Sequence, residues 1–87
     1  MKKVWNDKAW DDYLYWQRQD RRTLRKINNL VKEIERQKGK PPGQSERLKG
    51  GLSGVCSSKI DEKNRLLWFI EDGVLEIMSC RGHYGDK

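Results

Sequence analysis

Apolar residues recur along this chain with two different periods. Between Asp7 and about Gln17, Ala9, Trp10, Tyr13, Leu14 and Trp16 follow a near-helical spacing. Asn6 precedes them as a capping residue, and Asp7, Asp11 and Asp12 lie early, where the helix dipole favours negative charge. Asp20 then caps a longer helix running to about Arg36, with the stripe Leu24, Ile27, Leu30, Val31 and Ile34. Its other faces carry Arg21, Arg22, Arg25, Lys26, Lys32 and Arg36. The two helices read as an αα-hairpin, preceded by the short strand-like run Lys3-Val4-Trp5.

Beyond Gln37 the helical period stops. Gln37 to Ser45 contains both prolines and reads as a loop within one domain. Arg47-Leu48-Lys49 follows, then the turn residues Gly50 and Gly51, then Leu52-Ser53-Gly54. Three strands are predicted, at about Val55 to Ile60, Arg65 to Ile70 and Val74 to Cys80. Asp61 to Asn64 joins the first pair, and Asp72-Gly73, a strong hairpin signal, joins the second. This order implies an α+β fold, with two N-terminal helices packed on one face of a small, mostly antiparallel sheet.

The length of 87 residues allows a single domain, residues 1–87, because a second core would need roughly 50 residues of its own. Apolar residues make up 34% and charged residues 37%, so the core is small and a partner covering apolar surface would add stability. The net charge of +6 favours polyanions, with nucleic acid the leading class. An acidic protein partner, or charge serving solubility alone, is the simpler alternative. No apolar run approaches a membrane span, and the N-terminus lacks the apolar core of a signal peptide. The expectation is a cytoplasmic protein whose two cysteines, Cys56 and Cys80, are buried free thiols in strands.

The only histidine is His83, near the C-terminus and next to Tyr84. An imidazole, with an unperturbed pKa of roughly 6.5, is the first candidate for acid–base chemistry at neutral pH. Phosphodiester chemistry would pair it with a carboxylate as base and an arginine, whose planar fork suits phosphate. Arg65 is better marked than other arginines because it opens an apolar strand, although an edge charge that deters aggregation has the same signature. Composition does not single out one carboxylate, since most are solvated surface charges.

Several motifs together resemble the YoeB toxins of the RelE superfamily, from bacterial toxin–antitoxin pairs. They are Trp10-Asp11-Asp12-Tyr13-Leu14-Tyr15-Trp16, Arg25-Lys26-Ile27-Asn28, Leu48-Lys49 with Leu52-Ser53-Gly54, Arg65-Leu66 and the ending Arg81-Gly82-His83-Tyr84. The resemblance spans Met1 to Tyr84. It implies a ribosome-dependent mRNA endoribonuclease that cuts in the A site through attack of the RNA 2′-hydroxyl. It assigns Glu46, by its spacing back from Leu48-Lys49, as general base, Arg65 as transition-state stabiliser, His83 as general acid and Tyr84 as a substrate-positioning neighbour. Lys49, Lys59 and Arg81 become RNA-binding residues, with no metal or other cofactor, since the nucleophile belongs to the substrate. The implied partners are an acidic YefM-like antitoxin that folds on binding, the bacterial ribosome with its mRNA, and a second copy of the chain.

The chain departs from the family's Trp-Ser-Arg-Arg-Ile pattern, reading Cys56-Ser57-Ser58-Lys59-Ile60. Ser58 removes a charge, Lys59 keeps a charge without the bidentate fork, and Cys56 removes an aromatic packing group. Lower RNA affinity or cleavage efficiency is the expectation. Two rivals follow. One is a gyrase-binding toxin on the same fold, resembling ParE, which lacks the His-Tyr ending. The other is a weakened interferase that acts only by binding RNA or its antitoxin.

Strand register supplies a geometric condition. A two-residue Asp72-Gly73 turn pairs Cys80 with Arg65 and, by alternation, puts His83 on the opposite face. A site shared by Arg65 and His83 therefore requires an odd loop, a bulge or a bend after Cys80.

Overall fold

The computed structural model describes residues 1–49, 51 and 54–82. Strand β1 covers Lys2–Trp5, helix α1 Asp7–Gln19 and helix α2 Arg21–Arg36. Strands β2 (Ser45–Arg47), β3 (Cys56–Lys59), β4 (Arg65–Glu71) and β5 (Val74–Ser79) follow. The sheet order is β1-β5-β4-β3-β2; β1 runs parallel to β5 and the other pairs are antiparallel.

Both helix starts follow their predicted caps. Asn6 Oδ1 accepts the Ala9 N–H at 2.8 Å, and Asp20 Oδ1 accepts the N–H groups of Arg22 and Thr23 at 3.1 and 3.3 Å. Helix α2 ends at Arg36, and Lys38, with a φ of +55°, turns the chain so that the Gly39 N–H reaches the Ile34 carbonyl at 2.9 Å. A Cβ there would stand 3.2 Å from Ile70 Cγ1, so the glycine also permits close approach to the sheet. Asp72 and Gly73 both have positive φ, the type I′ signature of a two-residue hairpin.

The core lies between the helix pair and one face of the sheet. Ala9, Trp16, Ile27, Val31 and Ile34 meet Cys56, Leu66, Trp68, Leu75, Ile77 and Cys80 there. Burying such side chains stabilises by roughly 1.5–3 kcal/mol each for the larger aliphatic and aromatic ones. Alternation then sends Arg65, Leu67 and Phe69 of β4 to the other face.

One sequence expectation needs correction and another is extended. Ser45, expected to end the loop, instead opens edge strand β2 with Glu46 and Arg47, and the 2.6 Å approach of Ser45 Oγ to Ser58 Oγ locks its register with β3. Three polar residues carry no strand periodicity, so the pairing is a tertiary effect. Asp12, assigned by the sequence only to the dipole-favoured start of α1, is in addition buried and accepts the backbone N–H of Cys80 at 3.0 Å and Lys8 Nζ at 2.9 Å.

Candidate active site

The face of the sheet away from the helices is set by three aligned strands. Register places Glu46 beside Ser57 and Ser57 beside Leu67. In the next row Lys59 pairs with Arg65, and the Lys59 N–H reaches the Gln44 carbonyl at 2.9 Å. Glu46 therefore stands one row from Arg65, across β3. Their side chains converge on a cavity of about 200 Å³ lined by Gln44, Ser45, Glu46 and Arg65.

Arg65 Nε is buried and has no hydrogen-bond acceptor among the described residues. An unsatisfied guanidinium N–H is costly, so a cation held this way favours an anionic ligand able to accept from it. Lys59, its cross-strand neighbour, adds a second positive charge. The Lys59 ammonium pairs with Glu62. Its hydrogen bond and charge hold the Glu62 carboxyl below the usual range.

The other sequence candidates lie around this centre. Lys49 is exposed just beyond β2, where the Leu48 N–H bonds the Val55 carbonyl at 2.8 Å. Lys59 also lines a cavity of about 430 Å³ with Lys26, Asn29 and Pro42, on the α2 side. Arg81 is exposed and stacks its guanidinium over the Tyr15 ring at 3.7 Å, so it is held by α1 and does not line the Glu46–Arg65 cavity. His83 and Tyr84 lie outside the described residues.

The register condition is met. The β4–β5 ladder shifts between Leu67 and Trp68, with Leu67 opposite Ser79 and Trp68 opposite Ile77, leaving Met78 as the extra residue. The shift moves residues beyond Met78 by one position relative to β4. The chain also turns out of the ladder after β5, and the Gly82 carbonyl accepts the Arg65 N–H at 2.9 Å.

Ser58 is fully buried on the helix-facing side and accepts the Trp68 indole N–H at 2.9 Å. Ser58 stands where the family pattern has an arginine, and its side chain lies on the opposite face of β3 from Lys59, the cross-strand neighbour of Arg65. Gln44 and Ser45 escaped sequence reasoning because nothing in a proline- and glycine-bounded polar run marks a cavity wall.

A family model for the YoeB-like toxin of bacterial type II toxin–antitoxin systems matches residues 5–84. The chain belongs to the YoeB-like toxins. Toxin YoeB of Escherichia coli (strain K12) is 45% identical over 84 residues, covering 97% of this chain and 100% of the relative. Among solved structures, a YoeB/ParE toxin from Agrobacterium tumefaciens superposes with a TM-score of 0.89 at 40% identity, covering 97% of this chain and all of that one. The Staphylococcus aureus YoeB, solved in a YoeB–YefM complex, gives a TM-score of 0.85 at 34% identity, with 97% and 98% coverage. A YoeB dimer from Staphylococcus aureus gives 0.86 at 35% with the same coverage.

Proposed function

We propose that this chain is an endoribonuclease that cuts mRNA in the ribosomal A site and is silenced by an acidic antitoxin. The observation carrying this reading is the shared cavity of Glu46 and Arg65, with Arg65 Nε buried and without an acceptor among the described residues. The Glu46 carboxylate takes the proton of a ribose 2′-hydroxyl. O2′ then attacks the adjacent phosphorus while the P–O5′ bond breaks, leaving a 2′,3′-cyclic phosphate and a 5′-hydroxyl. Arg65 stabilises the charge that builds on the phosphoryl oxygens. His83 donates the proton taken up by O5′, and Tyr84 positions the nucleotide; these two roles rest on the family resemblance. Lys49, Lys59 and Arg81 hold the RNA backbone. The nucleophile is the substrate's own hydroxyl, so this route calls for neither metal nor cofactor.

The partner reading follows the same chemistry. A YefM-like segment rich in carboxylates would neutralise the positive face and order itself on it. Self-association parallels the dimer of the Staphylococcus aureus relative, and a cytoplasmic site of action follows from the ribosome as partner. Among the described residues no helix is long and apolar enough to cross a membrane.

The test is to add the purified chain to translating ribosomes and map mRNA 5′ ends. Codon-phased cuts are expected, reduced by about 10²–10⁴ in rate in Glu46→Gln and His83→Gln. Arg65→Ala should be comparably impaired. Uncut mRNA with blocked DNA supercoiling would instead support the gyrase reading. RNA binding without cleavage would support a toxin acting by binding alone.

A further inference from the structure

The three residues ahead of His83 are held by polar contacts from two directions. On one side stands α1. Asp12 Oδ2 accepts the Cys80 N–H at 3.0 Å, Trp16 Nε1 donates to the Cys80 carbonyl at 2.9 Å, and Tyr15 carries the Arg81 guanidinium on its ring at 3.7 Å. On the other side stands the start of β4. Asn64 Oδ1 accepts the Gly82 N–H at 2.8 Å, and the Arg65 N–H donates to the Gly82 carbonyl at 2.9 Å.

Asn64 is oriented for this contact. Its Nδ2 donates to both Asp61 carboxylate oxygens, at 3.0 and 3.2 Å, which fixes the amide with its oxygen toward Gly82. Asp61 in turn accepts the N–H groups of Lys63 and Asn64, both at 2.8 Å. The β3–β4 turn is thus built to present one acceptor to the backbone of Gly82. That glycine has a φ of +94°, a left-handed turn of the chain immediately before His83.

We propose that Asn64 is a positioning residue for His83: through the Gly82 N–H it fixes the exit direction of the chain next to Arg65. Asp12, Tyr15 and Trp16 anchor the same segment from α1. The role of His83 as acid is taken from the proposed function, and Asn64 acts only through the backbone. A Gly82 amide without its acceptor no longer sets that direction, and misplacing a catalytic group by about 1 Å can cost on the order of 100-fold in rate.

Asn64→Ala is the informative variant, because Asn64 sits in a surface turn and its loss opens no core cavity. The chain contains one histidine, so labelled imidazole resonances report His83 alone. In Asn64→Ala, kcat for ribosome-dependent cleavage is expected to fall about 10- to 100-fold with KM changed less than about threefold. The imidazole signals should shift from their wild-type positions. Asn64→Asp keeps the acceptor but faces Asp61 with a like charge. It should fall between wild type and Asn64→Ala, and partial recovery in high salt should mark the repulsion. Unchanged imidazole signals in Asn64→Ala would overturn the proposal, whether or not cleavage falls. A fully active His83→Gln would overturn the catalytic reading instead, while the imidazole signals of Asn64→Ala still decide whether Asn64 places His83.

Discussion

The Asp12 carboxylate accepts the backbone N–H of Cys80 across a sequence separation of 68 residues, joining the first helix to the end of the last strand. Both groups are buried, so neither has water as a substitute. Asp12→Ala leaves the Cys80 N–H without an acceptor and should destabilise the fold by about 1–3 kcal/mol. Asp12→Asn, which retains an acceptor, should lose less. Urea unfolding of the two variants checks the order, and equal losses would show that the hydrogen bond is not what Asp12 contributes.

Ser58→Arg would restore the charge common in the family's strand pattern. In this fold position 58 faces the interior and holds the Trp68 indole N–H and Ser45 Oγ. The arginine should therefore lower the melting temperature and fail to raise cleavage or RNA affinity, since it displaces the contacts of Ser58 with the buried Trp68 indole and with the Ser45 hydroxyl. A stable variant with faster cleavage would show that the side chain reaches the Arg65 face.

Glu62 holds Lys59, the cross-strand neighbour of Arg65. Glu62→Gln frees that ammonium for phosphate. Binding to single-stranded RNA should tighten, and the slope of log K against log salt should steepen by roughly 0.7, the value for one added contact. An unchanged slope would place Lys59 outside the RNA path.

Cys80 is fully buried, and burial first, then the Asp12 charge, pushes its thiol up to about 12. Burial also raises Cys56. Neither thiol should react with a colorimetric disulfide reagent at pH 8 until denaturant is added. The sign of the linkage follows: above the ordinary thiol value of about 8.5 the unfolded chain loses protons that the folded chain keeps, so stability should fall as pH rises. Rapid labelling of the native protein would contradict this burial.

Asp20 caps α2, and its carboxyl is held below the usual value by the Thr23 hydroxyl and N–H, with the Arg22 N–H adding to them. Its folded value lies below its unfolded one, so its contribution is present above about pH 4 and lost as pH falls through the folded value. Asp20→Ala should melt earlier than wild type at pH 7, and the gap should close toward pH 2. A gap independent of pH would assign the loss to helix propensity rather than to the charged cap.

The sequence by itself determined the parts that depend on local chemistry. Asn6 and Asp20 marked both helix starts, the stripe from Leu24 to Ile34 marked the buried face of α2, and Asp72-Gly73 marked the hairpin, because caps, periodicity and turn residues act over a few positions. Arg65 stood out because it opens an apolar run. The motifs around Trp10 and Arg81 carried the family. Only the tertiary structure decided that Ser45–Arg47 is a strand and that Ser58 faces inward. It also decided that Met78 is an extra residue in β5, that Asp12 holds the Cys80 amide and that Asn64 holds the Gly82 amide. Each of these depends on hydrogen bonds between residues distant in sequence, whose partners are chosen by sheet register and helix packing. A polar residue has the same local signature whether it faces water or completes such a bond, so its role is fixed only when the fold supplies the partner.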